Sequence, residues 1–133
     1  MFITRATRHD HDDIRELLAT RGWADDTDLK EGIAYFAREG SVVGCVRLIE
    51  VVPQTLMVDS VLVHDDKRNQ GIGTALMKAA MNAKGGTMYL CCHEEVIPFY
   101  EHFDFAPVPL EDCPPEAITY WEKVEDVPAP EGH

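Results

Sequence analysis

Two glycines near the middle of the chain mark a place where an anion could bind. In the stretch HDDKRNQGIGTALMKAAM (64–81), Gly71 and Gly73 flank one isoleucine where alanine would start a helix better. The N-terminus of a helix offers unpaired backbone N–H groups and the positive end of its dipole. The hydroxyl of Thr74 and the basic pair at 67–68 add donors and positive charge. These residue types at this spacing predict a cradle for a phosphate group.

Two familiar phosphate-binding motifs fail to match this stretch. A P-loop carries lysine directly after its second glycine, and Thr74 stands there instead. A dinucleotide-binding fingerprint needs three glycines and an acidic residue on a later strand, whereas only two glycines are present. The cradle must therefore belong to another class of phosphate site.

A strand before the glycines and a helix after them would position the cradle. Runs of β-forming residues predict a strand over TLMVDSVLV (55–63). Apolar residues on one face predict a helix over about 71–84, and the glycine pair at 85–86 ends it. TMYLCC (87–92) follows as another strand. The centre of the chain is therefore strand, glycine loop, helix and strand.

The remaining segments complete an α/β pattern. The other predicted strands are FITRAT (2–7), GIAYFARE (32–39), SVVGCVRLIEVV (41–52) and ITYWEKV (118–124), and the other helices run from Asp10 or Asp12 to about Thr20 and over PFYEHF (98–103). Residues 24–31 are interpreted as a short helix or a loop. The fold class is therefore α/β (α+β), with a mixed sheet. Residues 1–124 are predicted to form a single domain, and 125–133 a flexible acidic tail that contains prolines.

Composition narrows the classes of function. The chain of 133 residues has 12 basic and 24 acidic side chains, which gives a formal charge of −12. Such a surface repels phosphate backbones, so nucleic acid is not expected as a partner. No apolar run approaches the roughly 20 residues that span a bilayer, so no membrane partner is expected. The N-terminal residues contain no apolar signal core, which predicts a cytoplasmic protein whose four cysteines are reduced.

One phosphate-binding signature does match the glycine stretch. Arg68-x-x-Gly71-x-Gly73 fits the (Q/R)-x-x-G-x-(G/A) pattern of the GNAT N-acetyltransferase superfamily, with the same strand before it and helix after it. Further on, IPFYEHFDF (97–105) is similar to the family's aliphatic-x-x-aromatic-Tyr-Glu-x-x-Gly-Phe run. Asp104 stands at the glycine position, where Asp tolerates φ > 0. The resemblance covers nearly the whole chain and implies a mostly antiparallel sheet, split between strands 4 and 5 and flanked by helices on both faces.

The resemblance implies that acetyl-CoA is the acyl donor and lies in the split between the strands at 55–63 and 87–92. The backbone of 61–63 would then hydrogen-bond the pantetheine arm like an added strand, and the turn at 69–74 would hold the pyrophosphate. The implied cofactor-binding residues are Val61, Leu62, Val63, Arg68, Asn69, Gln70, Gly71, Ile72, Gly73 and Thr74. No metal is expected, because consecutive strand residues such as 91–92 point to opposite faces.

The resemblance also implies that a neutral amine attacks the thioester directly. Tyr100 matches the superfamily tyrosine that gives a proton to the departing thiolate, and a tyrosine simply packed on the sheet is the alternative. Two residues are candidates for the base that takes the amine proton. Asp59 lies two residues before Val61, on the same strand face, or pairs with Arg47. His93 follows strand 5, or is a plain surface histidine.

The acceptor is expected to be the amine of a small molecule or an amino acid. Cys91 stands where ribosomal-protein alanine acetyltransferases use a glutamate as base, and CCHEEVIP (91–98) lacks the asparagine of many GNATs. That short segment and Pro-Glu-Ala-Ile (115–118) resemble amino-acid and arsinothricin N-acetyltransferases. A protein or peptide N-acetyltransferase, favoured by the acidic surface, and a non-catalytic acyl-CoA-binding module stay open as alternatives. A homodimer is expected from the resemblance alone.

Overall fold

The computed structural model describes residues 2–24, 27–92 and 94–123. Its strands are β1 (Phe2–Arg5), β2 (Ile33–Glu39), β3 (Ser41–Val52), β4 (Thr55–Val63) and β5 (Thr87–Tyr89), and its helices are α1 (His11–Ala19), α2 (Ile72–Ala83), α3 (Ile97–Glu101) and α4 (Pro115–Lys123). Single 3-10 turns cover Arg8–Asp10, Asp65–Lys67, Glu94–Val96 and Leu110–Asp112. Within these ranges, no helix has the length and apolar character that crossing a bilayer demands.

One five-stranded sheet carries the fold, in the order β1-β2-β3-β4-β5. Neighbouring strands are antiparallel up to β4, and β4 and β5 are parallel. The parallel pair follows from the connection between them, because α2 crosses over the sheet and returns the chain in the same direction. The predicted α/β class with a mixed, mostly antiparallel sheet is therefore confirmed.

Helices cover both faces of this sheet. The apolar side of α2 packs on the face of β3 that carries Val46 and Leu48. The alternate residues of β3, Cys45 and Ile49, face α1 and α4 on the other side. The helical residues buried at these contacts are Ile14, Leu17 and Leu18 of α1, Ile72, Leu76, Met77 and Ala80 of α2, and Ala117, Tyr120 and Trp121 of α4. The sheet is thus the middle layer of a three-layer domain.

Leu76→Ala is expected to lower the free energy of unfolding by about 3 kcal/mol, because a fully buried leucine leaves a cavity when truncated. Urea unfolding followed by circular dichroism measures the loss. Val52→Ala is the control, since Val52 is 36% exposed at the end of β3 and its truncation should cost less than about 0.5 kcal/mol. Similar losses for both variants would contradict the burial of Leu76 between α2 and the sheet.

The predicted last strand over ITYWEKV (118–124) is wrong, because its described residues lie in helix α4. The apolar residues of this segment fit both the two-residue period of a strand and the period of about 3.6 residues of a helix. Ile118 and Tyr120 alternate as in a strand, while the buried residues of α4 recur at the i, i+3 and i+4 spacing of a helix. Pro115 at the start of α4 has the backbone angle that a helix start requires. Packing on Ile49 of β3 then buries the helical face.

A further difference concerns the length of β5. β5 ends at Tyr89, before the end of the predicted strand at 87–92, and its outer edge has no partner strand in the described part of the chain. The described residues of the 24–31 segment form no helix, which agrees with a loop, the other interpretation of this segment. Residue 124 and the predicted tail at 125–133 lie outside the described residues.

Candidate active site

A gap opens between β4 and β5 partway along β4. The two strands pair at three positions, Thr55↔Thr87, Leu56↔Met88 and Met57↔Tyr89. Beyond Met57, β4 continues to Val63, whereas β5 ends at Tyr89. The backbone of 58–63 therefore has no strand partner on the β5 side among the described residues. This is the local cause of the predicted split between strands 4 and 5.

A bulge in β4 changes which side chains point to each face beside the gap. The register runs from Arg47↔Asp59 to Cys45↔Leu62, so two residues of β4 stand opposite one residue of β3. Because of the extra residue, Asp59 shares a face with Leu62 and not with Val61. The expectation that Asp59 and Val61 lie on one strand face is therefore wrong.

The N-terminus of α2 offers backbone amides next to this gap. The first backbone hydrogen bond of the helix runs from Ala75 N to Gly71 O (3.0 Å), and within the described ranges the amides of 72–74 have no backbone acceptor. Asn69 and Gly71 have φ of 64° and 79°, which gives the turn two left-handed residues. A methyl group on Gly71 would meet no protein atom within 4 Å. The turn has the form of an anion-binding cradle.

Gly73, the second glycine of the signature, lies in a packed position, unlike Gly71. A methyl group on Gly73 would lie 3.3 Å from the Phe99 ring and 3.7 Å from the side chain of Val63. Gly73 therefore allows α3 to pack closely against the first turn of α2. The two glycines were predicted to serve the anion alike, and the structure separates them into one open position and one packing position.

The two basic side chains beside the cradle are both paired with carboxylates. Arg68 Nη2 lies 3.1 Å from Asp65 Oδ1, and Lys67 Nζ lies 3.3 Å from Glu39 Oε1. Their positive charge is therefore partly balanced before any ligand binds. Backbone amides and the helix dipole supply the rest of the attraction for an anion at this turn.

Tyr100 lies on α3 with its ring fixed by aromatic neighbours. The ring centroids of Phe99 and Phe105 lie 5.0 and 5.9 Å away, both edge-on. Burial, and secondly the negative charge of the Cys92 thiolate, raises the pKa of Tyr100 to about 12. The phenol therefore keeps its proton at neutral pH, as a proton donor must. After α3, Asp104 has φ 68°, a left-handed conformation that Asp tolerates, at the position where the family's run has glycine.

Asp59 is the centre of a polar cluster under the sheet. Its Oδ2 accepts hydrogen bonds from Arg47 Nη2 (3.0 Å) and from the Tyr120 hydroxyl (2.6 Å), and its Oδ1 accepts from Ser60 N (2.6 Å). Ser60 holds the bulge, with φ 55°. Burial, followed by the hydrogen bond to Asp59, raises the pKa of Tyr120. The pairing of Asp59 with Arg47, one of the two sequence interpretations, is present.

Arg47 extends this cluster to the loop before β2. Its side chain is buried, and its Nη1 donates to the backbone oxygens of Asp28 and Glu31. The cluster therefore joins the α1–β2 loop, β4 and α4. Sequence reasoning missed Tyr120 because its segment was assigned to a strand. The helical spacing of Ala117, Tyr120 and Trp121 was the available signal.

Asp59→Ala is expected to lower the free energy of unfolding by about 3 kcal/mol, because it leaves the buried charge of Arg47 without its carboxylate partner. Denaturant unfolding measures the change. Asp13→Ala removes the partner of Arg38 in a more exposed ion pair and should cost at most about 1 kcal/mol. An Asp59 variant as stable as the Asp13 variant would show that the contacts of Asp59 stabilise the fold no more than an exposed ion pair does.

The remaining predicted residues lie at the β5 end of the site. Cys91 and Cys92 follow β5 without regular structure, and burial, then Glu95, raises the pKa of Cys92. His93, the second candidate base, lies outside the described residues. In the part of the chain that the structure describes, no group of three or more His, Cys, Asp or Glu side chains could hold a metal ion.

Solved structures of other proteins share this fold. A GNAT-family acetyltransferase from Streptococcus pneumoniae TIGR4, SP0256, is 25% identical with a TM-score of 0.69, over 85% of this chain and 92% of its own. Rv2747 from Mycobacterium tuberculosis, solved in complex with CoA, has a TM-score of 0.67 at 18% identity, over 92% of this chain and 82% of its own. A ribosomal-protein-alanine N-acetyltransferase from Brucella melitensis biovar Abortus 2308 has a TM-score of 0.64 at 20% identity, over 80% of this chain and 95% of its own.

The family of the chain is identified by comparison of its amino-acid sequence with family models. A comparison with curated proteins found no match. A family model described as an acetyltransferase (GNAT) domain matches residues 30–107, which contain β2 to β5, the cradle and Tyr100. The match covers more than half of the chain and confirms the resemblance read from the motifs. The chain therefore belongs to the GNAT acetyltransferase family and is an acyltransferase of the N-acetyltransferase type, with acetyl-CoA as its acyl donor.

Proposed function

We propose that the protein transfers the acetyl group of acetyl-CoA to the amine of a small molecule or an amino acid by direct attack. The observation that carries the proposal is the position of the unbonded α2 amides at 72–74 beside the gap between β4 and β5. A helix N-terminus of this kind suits a pyrophosphate. The backbone of 61–63 has no strand partner on its β5 side among the described residues, and that side suits an extended pantetheine arm, which would bind as an added strand. The turn at 68–74 completes the proposed cofactor-binding set.

The chemistry follows from the groups at the gap. The amine nitrogen attacks the thioester carbon, a C–N bond forms and the C–S bond breaks. Negative charge grows first on the carbonyl oxygen, where a free backbone N–H of β4 would stabilise it. The departing sulfur needs a proton, and the protonated hydroxyl of Tyr100 is the proposed donor. The nitrogen loses one proton as the sulfur gains one.

Asp59 and His93 are the two proposed candidates for the base. The three hydrogen bonds that Asp59 accepts support a role in fixing the bulge and the loop before β2. A pH profile separates the candidates. If His93 takes the proton, His93→Ala removes a rise in kcat/KM across the neutral pH range, where an imidazole changes its charge. If the profile keeps that rise and Asp59→Asn loses activity without loss of folding, Asp59 is the base.

Two other functions are separable by experiment. A protein or peptide N-acetyltransferase is favoured by the formal charge of −12, which attracts basic peptides. A non-catalytic acyl-CoA-binding module would keep the cradle and release no free thiol. Purified protein is therefore incubated with acetyl-CoA and a panel of small amines, amino acids and basic peptides, while thiol release is followed and CoA binding is measured by calorimetry. Thiol release only with peptides, or tight CoA binding without any turnover, would overturn the proposed function.

A further inference from the structure

A cavity of about 540 Å³ lies along the unpaired outer edge of β5. Leu90 and Tyr100 line it from the β5 end and α3, the 105–108 segment forms its outer wall, and Trp121 of α4 contributes from the opposite face. It is present because the chain after α3 forms an irregular segment and then α4, and no strand covers β5 in the described part of the chain. Its volume is within the range of about 300–1,000 Å³ that small-molecule sites occupy.

The walls of this cavity are apolar and only partly covered. Leu90, Phe105, Val108 and Leu110 line it, and each of them is half-buried. Residues 42–49 of β3, by contrast, are buried throughout. Large apolar side chains around an open cavity of this size are typical of a ligand site. An apolar body would remove the four side chains from water.

The cavity reaches the proposed proton donor. Tyr100 and Cys92 both line it, next to the point where the chain leaves β5 and the gap begins. A ligand that fills the cavity would therefore have one end beside Tyr100. In the proposed reaction, the acetyl group is transferred from sulfur to nitrogen at that end.

The charged side chains around the cavity favour a cationic ligand over an anionic one. The carboxylates of Glu101, Asp104 and Asp112 line it, and none of them forms an ion pair within the described residues. The one basic side chain on the described lining is Lys84, whose Nζ lies 3.5 Å from Glu50 Oε1. The surplus of negative charge attracts an ammonium group and repels a carboxylate.

We infer that this cavity holds the acceptor, and that the acceptor is a primary amine on an apolar, arylalkyl-sized body without a carboxylate. The inference rests on the proposed function, because it takes the Tyr100 end of the cavity as the reacting end. It narrows the acceptor class from small amines and amino acids to apolar amines. The step is balanced: RNH₂ and acetyl-CoA give the acetamide and free CoA thiol, with the nitrogen proton replaced by the acetyl group and one proton delivered to sulfur.

Trp121 provides a direct readout of binding. The chain has two tryptophans, so Trp23→Phe leaves Trp121 as the single indole and its emission reports on the cavity. Phenethylamine is the probe, and its titration is expected to give a saturable change in emission. In this background, Val108→Arg should weaken binding at least about tenfold, because it fills the cavity and adds a like charge. Val52→Arg makes the same chemical change at the exposed end of β3 and should leave binding within about twofold.

Activity is compared between two amines that differ by one group. Phenethylamine and phenylalanine share the ring and the amine, and phenylalanine adds a carboxylate. The kcat/KM for phenethylamine, measured by thiol release from acetyl-CoA, is expected to be at least about tenfold higher than that for phenylalanine. The carboxylates around the cavity repel the carboxylate of phenylalanine. Val108→Arg should raise the KM for phenethylamine and leave the KM for acetyl-CoA unchanged.

Different results would overturn the acceptor role of the cavity and the proposed function. Equal kcat/KM for the two amines, or phenethylamine binding that Val108→Arg does not weaken, would overturn the inference while acetyl transfer to amines stands. The other result is a protein that binds CoA, and whose Trp121 emission responds to phenethylamine, but that releases no thiol from acetyl-CoA with any amine tested. That result would overturn the proposed function and with it the acceptor role of the cavity.

Discussion

Gly71→Val is expected to weaken CoA binding by about 100-fold, which corresponds to the loss of one or two hydrogen bonds to a charged group. The space over Gly71 is empty of protein atoms, so the valine side chain would occupy the volume proposed for the pyrophosphate. Valine also disfavours the φ of 79° that this turn requires. Isothermal titration with CoA measures the affinity directly, without dependence on the acceptor.

Backbone strain alone must be separated from occlusion of the cradle. Gly22 supplies the control, because it has φ 71° and likewise no atom within 4 Å of a built methyl group, at the end of the first helical segment. Gly22→Val should lose a similar amount of stability, about 1–2 kcal/mol, and keep its CoA affinity. Gly71→Val protein that is folded and binds CoA as the wild type does would remove the cradle from the proposal.

Tyr100→Phe is expected to lower kcat about 100-fold or more and to change the KM for acetyl-CoA little. A general acid acts in the transition state, where it typically contributes about 10²–10⁴ in rate. The ring is held by Phe99 and Phe105, so phenylalanine should keep the packing and lose only the hydroxyl. Steady-state kinetics at saturating amine, followed by thiol release, separates kcat from KM.

The raised pKa of Tyr100 adds a second test. Because burial raises that pKa to about 12, the phenol is protonated below this pH and loses its proton only above it. The kcat of the wild-type protein should therefore show no fall from Tyr100 ionisation up to about pH 11. Tyr35→Phe, which removes a hydroxyl from a partly buried tyrosine of β2, is the matched control and should keep its kcat. Equal rates for Tyr100→Phe and Tyr35→Phe would exclude the acid role.

The cradle and the elements around it could be predicted because their signals are local. Arg68, Gly71 and Gly73 fit a six-residue signature, β4 precedes them as a run of β-formers, and α2 follows with one apolar face. Each signal depends on residues within about one element's length of each other. The tolerance of Asp104 for a positive φ is local in the same sense, because it is set by the side chain of that residue.

The site beyond the cradle depended on contacts between distant segments. The bulge at Ser60 appears only when β4 is aligned with β3, and it moved Asp59 to the other face of the strand from Val61. Asp59 then meets Tyr120, which is 61 residues away along the chain. No local pattern reports such a contact, because it exists only after the sheet and the last helix have packed.

The family, the acyl donor and the turn proposed to hold it could be inferred from the amino-acid sequence, because a glycine signature between a strand and a helix is a short-range feature of the chain. Three features became visible only in the packed structure: α4 is a helix, Gly73 makes room for Phe99, and a cavity borders β5. Those outcomes depend on which apolar faces find partners, and the burial gained by packing overrides a local preference when a segment fits two periodicities.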